Sequence, residues 1–491
     1  MLTSSTSRRP LVLASVMASM FMIAIEATIV STAMPQIAGR LGDLQLYAWV
    51  FSSFLLTQTA TTVVFGKLAD LYGRRPVLLA GIVVFLAGSL LCGAAWSMPS
   101  LILFRLIQGI GAGAVQPVGL TIVGDLYPGH ERGKIQGYLA SVWGISSVLG
   151  PLAGGLIVRH IGWPWVFWIN LPVGVIAAAG FIAFLREDVA RVSRSIDLAG
   201  AALFTLAVAS LMLALTEVGA PHGMTGAAAV CVFFAGTVLL VLQERRAKDP
   251  MLSLGVWTHR PIATANAATL LSGMVVIGLT AFLPVYVQGV MGRSALVAGF
   301  ATTAMVLGWP IASTLAARNF TRFGLRPTLL LGAVLLPIGA LTFVSLHPDS
   351  SPVTAGLGSV VIGFGMGLLS TSAIVIVQGS VGWAERGVAT ASNIFSRNLG
   401  SALGAAVLGS VLNLSLAHGG AAVVGPDQVR RLLEQPGGGA VGDLAVRAVL
   451  HHALHLTFWA VLLVTVITLL LATLVPSVAT DRGTHEVTVG E

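Results

Sequence analysis

Charge is what this sequence has least of. Only 9% of its 491 residues are Asp, Glu, Lys or Arg. Ordinary soluble domains carry roughly 25%, so the chain cannot cover a water-facing surface of its own size. That shortage excludes a string of two or three soluble domains. With 56% hydrophobic residues, disorder, collagen and a solvated coiled coil are excluded too. Cysteine is almost absent: Cys92 and Cys231 each lie inside an apolar run, where they read as packing residues and not as a disulfide framework. No hydrophilic stretch is long enough for a soluble catalytic domain, and no GxxxxGK[ST] string offers a phosphate cradle. The sequence is that of a non-enzymatic protein that crosses a membrane many times.

What fills the chain is apolar runs of about 20 residues, the length that spans a bilayer. Charged, Pro and Gly breaks divide them into fourteen: 11–33, 48–69, 76–97, 100–126, 134–159, 165–185, 197–216, 223–243, 262–289, 296–318, 327–346, 352–379, 386–414 and 453–475. The first run is too long for a signal-peptide core and has no small-residue cleavage site, so it is expected to remain as a membrane helix. An even number of spans puts both termini on one side. Nineteen of the 27 Lys and Arg residues fall on that side. Six fall opposite (Arg40, Arg159, Arg293, Arg430, Arg431 and Arg447), and Arg105 and Arg397 lie within spans. The positive-inside rule then makes the termini cytoplasmic. The net charge of +8 reflects topology, and no nucleic-acid partner is called for. One outer segment, 415–452, is long and Gly/Ala-rich, and its PDQVRRLLE stretch is expected to form a short amphipathic helix.

The chain also repeats itself. ERGKIQGYLASVWGISSVLGP from Glu131 aligns with ERGVATASNIFSRNLGSALGA from Glu385 at an offset of 254. LYGRRP at Leu71–Pro76 aligns with RFGLRP at Arg322–Pro327 at an offset of 251. Both offsets advance by eight spans, so the repeats share one membrane orientation, as in transporters built from parallel repeats. The expected fold is all-α and integral to the membrane. It has a cytoplasmic start over 1–10, a six-helix bundle over 11–185, an inserted helix pair over 197–243, and a second six-helix bundle over 262–475 that contains the outer loop. A cytoplasmic tail over 476–491 follows. The two bundles are related by a pseudo-two-fold axis.

Four segments carry polar chemistry. In GKLADLYGRRP, Gly66 permits close helix approach and Gly73 a tight turn, while Asp70 can pair with Arg74 and Arg75 or with a helix N-terminus. In LILFRLIQGIGAGAVQP, Arg105 sits five residues into an apolar helix, a functional hypothesis by default, with snorkelling to the interface as the alternative. In GISSVLGPLAGG, Pro151 removes a backbone hydrogen bond and the glycines allow helix contact. In MFMIAIEATIVSTAMPQI, Glu26 is the only acid deep in any span. A carboxylate there can exchange protons, or it can be a structural group bonded to backbone. Arg397, about 17 Å into its helix at 1.5 Å per residue, is a candidate to counter Glu26 or to line a cavity, with a hydrogen-bonded structural arginine as the alternative. Gln58, Gln108, Trp143, Asn266, Tyr286 and Trp309 are candidates to contact a lipophilic substrate. His451, His452 and His455 have metal-like spacing but no acid or Cys beside them, so no metal is assigned.

These strings resemble the major facilitator superfamily, in its fourteen-helix drug/proton antiporter branch. The first is similar to the hallmark loop G-x-L-a-D-r-x-G-r-[RK]. That likeness implies a latch between the halves made by Gly66, Asp70, Gly73, Arg74 and Arg75. The second matches l-x-x-x-R-x-x-q-G-x-g-a, which assigns Arg105, beside Gln108, Gly109 and Gly113, to proton coupling. The third matches the antiporter motif g-x-x-x-G-P-x-x-G-G, which implies a hinge and seal at Gly144, Gly150, Pro151, Gly154 and Gly155. The fourth resembles l-D-x-T-I-V-n-v-A-l-P, with Glu26 for Asp and Ser31 for Asn. WPWVFWINLPVG and ERRAKDPMLSL match the same branch, although Pro164 replaces its usual arginine. The resemblance implies a proton-driven exporter of lipophilic, often cationic, toxic compounds, with no cofactor. Its partners would be small substrates, protons and membrane lipid, and nothing in the chain signals for or against an adaptor or outer-membrane channel. The alternative is a dedicated exporter of one endogenous metabolite, or a proton symporter of the same fold.

Overall fold

A computed structural model describes residues 8–41, 46–187, 197–216, 223–247, 258–293, 295–418 and 441–476. Among these, fourteen long helices follow one another. They are α1 (Arg9–Leu41), α2 (Tyr47–Tyr72), α3 (Arg74–Gly93), α4 (Met98–Leu126), α5 (Gly129–His160), α6 (Asn170–Phe184, after a single turn Trp165–Trp168) and α7 (Leu198–Thr216). Then come α8 (Gly223–Arg246), α9 (Arg260–Val285, continued by a π turn Tyr286–Val290), α10 (Ala295–Arg322), α11 (Leu325–Val344), α12 (Pro352–Gly379), α13 (Arg386–His418) and α14 (Val441–Thr473). Twelve are long and apolar enough to cross a membrane on that ground alone. The others are α2, whose middle carries Thr57, Gln58, Thr59, Thr61 and Thr62, and the shorter α7.

The repeat is visible in the backbone. Gly73 between α2 and α3 has φ 99°, and its repeat partner Gly324 between α10 and α11 has φ 90°. Only glycine adopts that conformation at little cost, so both halves turn the same corner with the same residue. Within the first half α1 packs on α5, α2 on α4 and α3 on α4; within the second, α9 packs on α13, α10 on α12 and α11 on α12. Between the halves the large contacts are α2 with α13 and α5 with α10, which the pseudo-two-fold exchanges. The inserted pair lies over the first of these. Phe204, Val208 and Met212 of α7 and Leu240 of α8 form one apolar cluster with Ala60 and Val63 of α2 and Phe395 of α13. The Phe204 and Phe395 rings are 5.7 Å apart.

Helix ends depart from the apolar runs in two places. Helix α1 continues to Leu41, past the expected end at 33, and α14 begins at Val441 where 453 was expected. The reason is periodicity. Val446, Leu450, Ala453 and Leu454 are buried, at the i, i+4, i+7, i+8 spacing of one helix face. Arg447, His451 and His452 interrupt the run in sequence and lie on other faces. The middle of the outer loop, with its expected amphipathic helix, and the chain beyond 476 lie outside the described residues.

Candidate functional site

Glu26 of α1 and Arg105 of α4, each read from sequence as a charged group within a span, meet. Arg105 Nη1 lies 2.6 Å from Glu26 Oε1, and the two side chains are 0% and 2% exposed. Two charges in a low-dielectric interior persist only when their remaining valences are met, and here they are. Arg105 Nη1 also donates to Gln108 Oε1 at 2.8 Å, and Arg105 Nε donates to the Val50 carbonyl at 3.0 Å. The guanidinium lies over the Phe54 ring, 4.3 Å from its centroid. Asn170 Nδ2 donates to Glu26 Oε2, and Gln108 Nε2 donates to Ser89 Oγ at 2.8 Å. The network thus joins α1, α2, α3, α4 and α6. Asn170 and Ser89 were not singled out from sequence, although a buried Asn at the start of α6, within WPWVFWINLPVG, was a signal that could have been read.

Arg397 does not counter Glu26. Of its two open roles the geometry favours the cavity: with Arg105 it lines a chamber of about 470 Å³ between the halves. The walls come from α1, α2, α4 and α5 and from their repeat counterparts α9, α10, α12 and α13. Of the residues read from sequence as candidates to contact a substrate, Gln58, Trp143 and Trp309 line it. Gln108, Asn266 and Tyr286 do not. Gln108 is fully buried behind Arg105. Asn266 is held between α9 and α13 by Ser392 and Asn393. Tyr286 donates to the Leu346 carbonyl at 3.0 Å and meets His451 Nδ1 at 3.0 Å. Each has its polar group occupied within the helix packing, a circumstance that sequence does not reveal. Asn393, Gln116, Gln136 and Ser370 are lining residues that sequence reasoning missed.

The second polar cluster ties the halves together at one end. Asp70, in the last turn of α2, accepts from the Gly387 and Val388 amides at 3.0 and 2.8 Å. These amides belong to the buried first turn of α13, whose N–H groups have no acceptor within their own helix and where the helix dipole also favours a carboxylate. Gly66 lets the helices approach: a methyl group there would strike Ala391 and the Gly387 carbonyl. Arg74 is fully buried. It bridges Asp70 at 2.8 Å and Asp125 of α4 at 3.1 Å, donates to the Trp383 carbonyl at 2.8 Å and stacks on the Trp383 ring. Arg386 of α13 reaches Asp125 at 2.6 Å. Arg75 points elsewhere, to the Ile182 carbonyl, while Glu187 caps α3 by accepting from the Arg74 and Arg75 amides. Asp125, Glu187, Trp383 and Arg386 complete a cluster of which sequence supplied only the α2–α3 side.

The glycines of α5 do not form one seam. The helix runs unbroken from Gly129 through Pro151 to His160. Gly144 faces Pro310 and Val306 of α10 in the other half. Gly150 faces Thr28 of α1, two residues from Glu26, and Thr28 Oγ1 donates to the Ser146 carbonyl at 3.0 Å. Gly154 is buried, and Gly155 faces open space.

Residues 16–405 match the family profile of the Major Facilitator Superfamily. The multidrug transporter protein MdtP of Bacillus subtilis (strain 168) is 35% identical over 410 residues, covering 83% of this chain and 76% of that protein. Multidrug resistance protein 3 of the same organism is 35% identical over 412 residues, covering 83% and 80%. Among solved structures, the proton:xylose symporter XylE bound to 6-bromo-6-deoxy-D-glucose superposes with a TM-score of 0.64 over 96% of this chain and 97% of its own, at 15% identity, a likeness of fold. With a profile match across most of its length, on two repeated six-helix bundles joined by a charged latch, this chain belongs to the major facilitator superfamily.

Proposed function

We propose that this chain exports small lipophilic compounds across a bacterial inner membrane by alternating access, driven by proton entry through Glu26. The observation that carries the reading is the Glu26–Arg105 pair. It is a titratable acid held in the interior by one arginine, and that arginine also borders the central cavity. Protonating Glu26 removes one charge of the pair and loosens the network that ties α1 to α4 and α6. A proton can thereby change how the first half packs. The latch supplies the second element. With the basic loops cytoplasmic, the closed end formed by Asp70, Arg74, Asp125 and Arg386 is the cytoplasmic gate, and this conformer faces outward. Export is supported by the two relatives named for multidrug transport and resistance.

Dye efflux from everted membrane vesicles tests the reading. With ATP present throughout, a protonophore is expected to abolish transport, and an imposed pH gradient of the right sign to drive it. Efflux that persists with the gradient collapsed would overturn proton coupling.

A further inference from the structure

We propose that the central cavity takes lipophilic organic anions, with Arg397 seating the anionic group and Trp143 and Trp309 the apolar body. The inference rests on the transport reading only in treating this cavity as the cargo site. Its basis is charge accounting. Two arginines line the cavity, and none of its lining residues is acidic. Arg105 is balanced by Glu26, which is itself fully buried and not part of the lining. Arg397 has no such partner: among the described residues no carboxylate lies within ion-pair distance of it and no side-chain hydrogen bond satisfies it. An arginine cannot shed its proton to escape the cost, so its charge is left for a ligand to meet.

The repeat sharpens the geometry. Trp143 and Arg397 are separated by 254 residues, the offset that superposes Glu131 on Glu385. They are therefore the same position in the two halves, one aromatic and one cationic, and both line the cavity. Ser370 and Gln136 line the same cavity, and their buried Oγ and Nε2 atoms are without hydrogen-bond partners among the described residues. Trp143 and Trp309 alone would also suit a cation, through their ring faces. Arg397 decides against that. A sphere of the cavity's volume is about 10 Å across, comparable with the ~8 Å screening length of physiological salt, so a cationic cargo inside it meets the repulsion of Arg397. Proton and cargo charge then act on opposite halves, the proton on Glu26 with Arg105 and the anion on Arg397. Exchange then works through movement of the halves.

Calorimetric titration of the full-length chain in detergent with three naphthalene probes tests this: 1-naphthylacetate, 1-naphthylacetamide and 1-naphthylmethylammonium. The naphthylmethyl body is constant while the polar group changes from anion to neutral to cation. The acetate is expected to bind roughly tenfold or more tightly than the amide, the scale of a hydrogen bond to a charged group, and the ammonium more weakly than the amide. Arg397→Gln should bring acetate and amide to similar affinity, while Arg397→Lys keeps part of the preference. A wild-type order led by the ammonium overturns the proposal, and needs no variant to fold. So does an unchanged acetate preference in a monodisperse Arg397→Gln protein. Binding is read here without any gradient. Transport that ignores the protonophore, alongside an intact anion preference, would overturn proton coupling and leave this inference standing.

Discussion

Asp70 of the first half caps the helix that Gly387 and Val388 open in the second. That carboxylate joins the two bundles beside the Arg74–Trp383 hydrogen bond and the Asp125–Arg386 ion pair, which also cross between them. The latch is one-sided: the repeat places Thr321 and Leu325 where the first half has Asp70 and Arg74. A symmetric fold therefore closes through an asymmetric charge cluster, built on the α2–α3 corner and not on its repeat at α10–α11.

The latch gives the first prediction. Asp70→Asn keeps the shape of the side chain but loses the charge that favours a helix N-terminus and answers Arg74. Loss of charge-assisted hydrogen bonds costs about 1.5–3 kcal/mol each, so the closed end should open at least tenfold more often. Ala389 on α13 is fully buried beside the latch. In a Cys92→Ala, Cys231→Ala background, an Ala389→Cys reporter should react with maleimide about tenfold faster when Asp70→Asn is added. Equal labelling rates would show that the cap does not hold the gate.

Gly150 and Gly155 separate packing from hinge. A Cβ at Gly150 would collide with the Thr28 side chain, while one at Gly155 would meet nothing within 4 Å. Gly150→Ala is therefore expected to destabilise by roughly 1–3 kcal/mol, the usual cost of overpacking. Gly155→Ala should be neutral or slightly stabilising. Thermal unfolding of the two purified variants checks the order, and a larger loss at Gly155 would remove this account of the motif.

Helix number, the repeat and the α2–α3 half of the latch were legible because each is written in local pattern. Apolar run length marks spans, and a glycine in a fixed string marks each corner. The partners of those residues were not. Asp125 and Arg386 are 261 residues apart; Asp125 sits in no repeated string and Arg386 only in the repeat at Glu385, which names no partner, so only the docking of the halves brings them to 2.6 Å. Arg397 was read as a deep cation with three open roles, because helix depth is legible but helix azimuth is not. Gln108, Asn266 and Tyr286 failed as lining residues for the same reason. A polar residue in an apolar helix signals that it needs a partner, and does not say whether the partner is protein or cargo.

Asn170 offers a test of the site's support. It donates to Glu26 Oε2 from a fully buried position. Asn170→Ala leaves that oxygen without its donor, at a cost of roughly 1–3 kcal/mol. The unfolding midpoint should fall accordingly. If Asn170 supports only the pair, Asn170→Ala in a Glu26→Gln, Arg105→Gln background should cost measurably less, and an equal loss in both backgrounds would show that Asn170 packs independently of Glu26.

The pair itself can be divided into structure and coupling. Glu26→Gln keeps the size of the side chain but strands a buried Arg105, and Arg105→Gln strands Glu26. Removing one partner of a buried ion pair typically costs about 3–5 kcal/mol, whereas replacing both is often nearly neutral. Each single variant should therefore unfold earlier than the parent, and the double variant should recover most of the difference. Glu26→Asp should keep partial activity, because the carboxylate remains and only its reach is shortened. Transport separates the roles. If Glu26 carries the proton, the double variant folds well and still fails to couple efflux to a pH gradient, since no acid remains at that depth among the described spans. Gradient-driven efflux at the parent rate by the double variant would make the pair a structural fixture, and would send the search for the proton site to the acids of the latch.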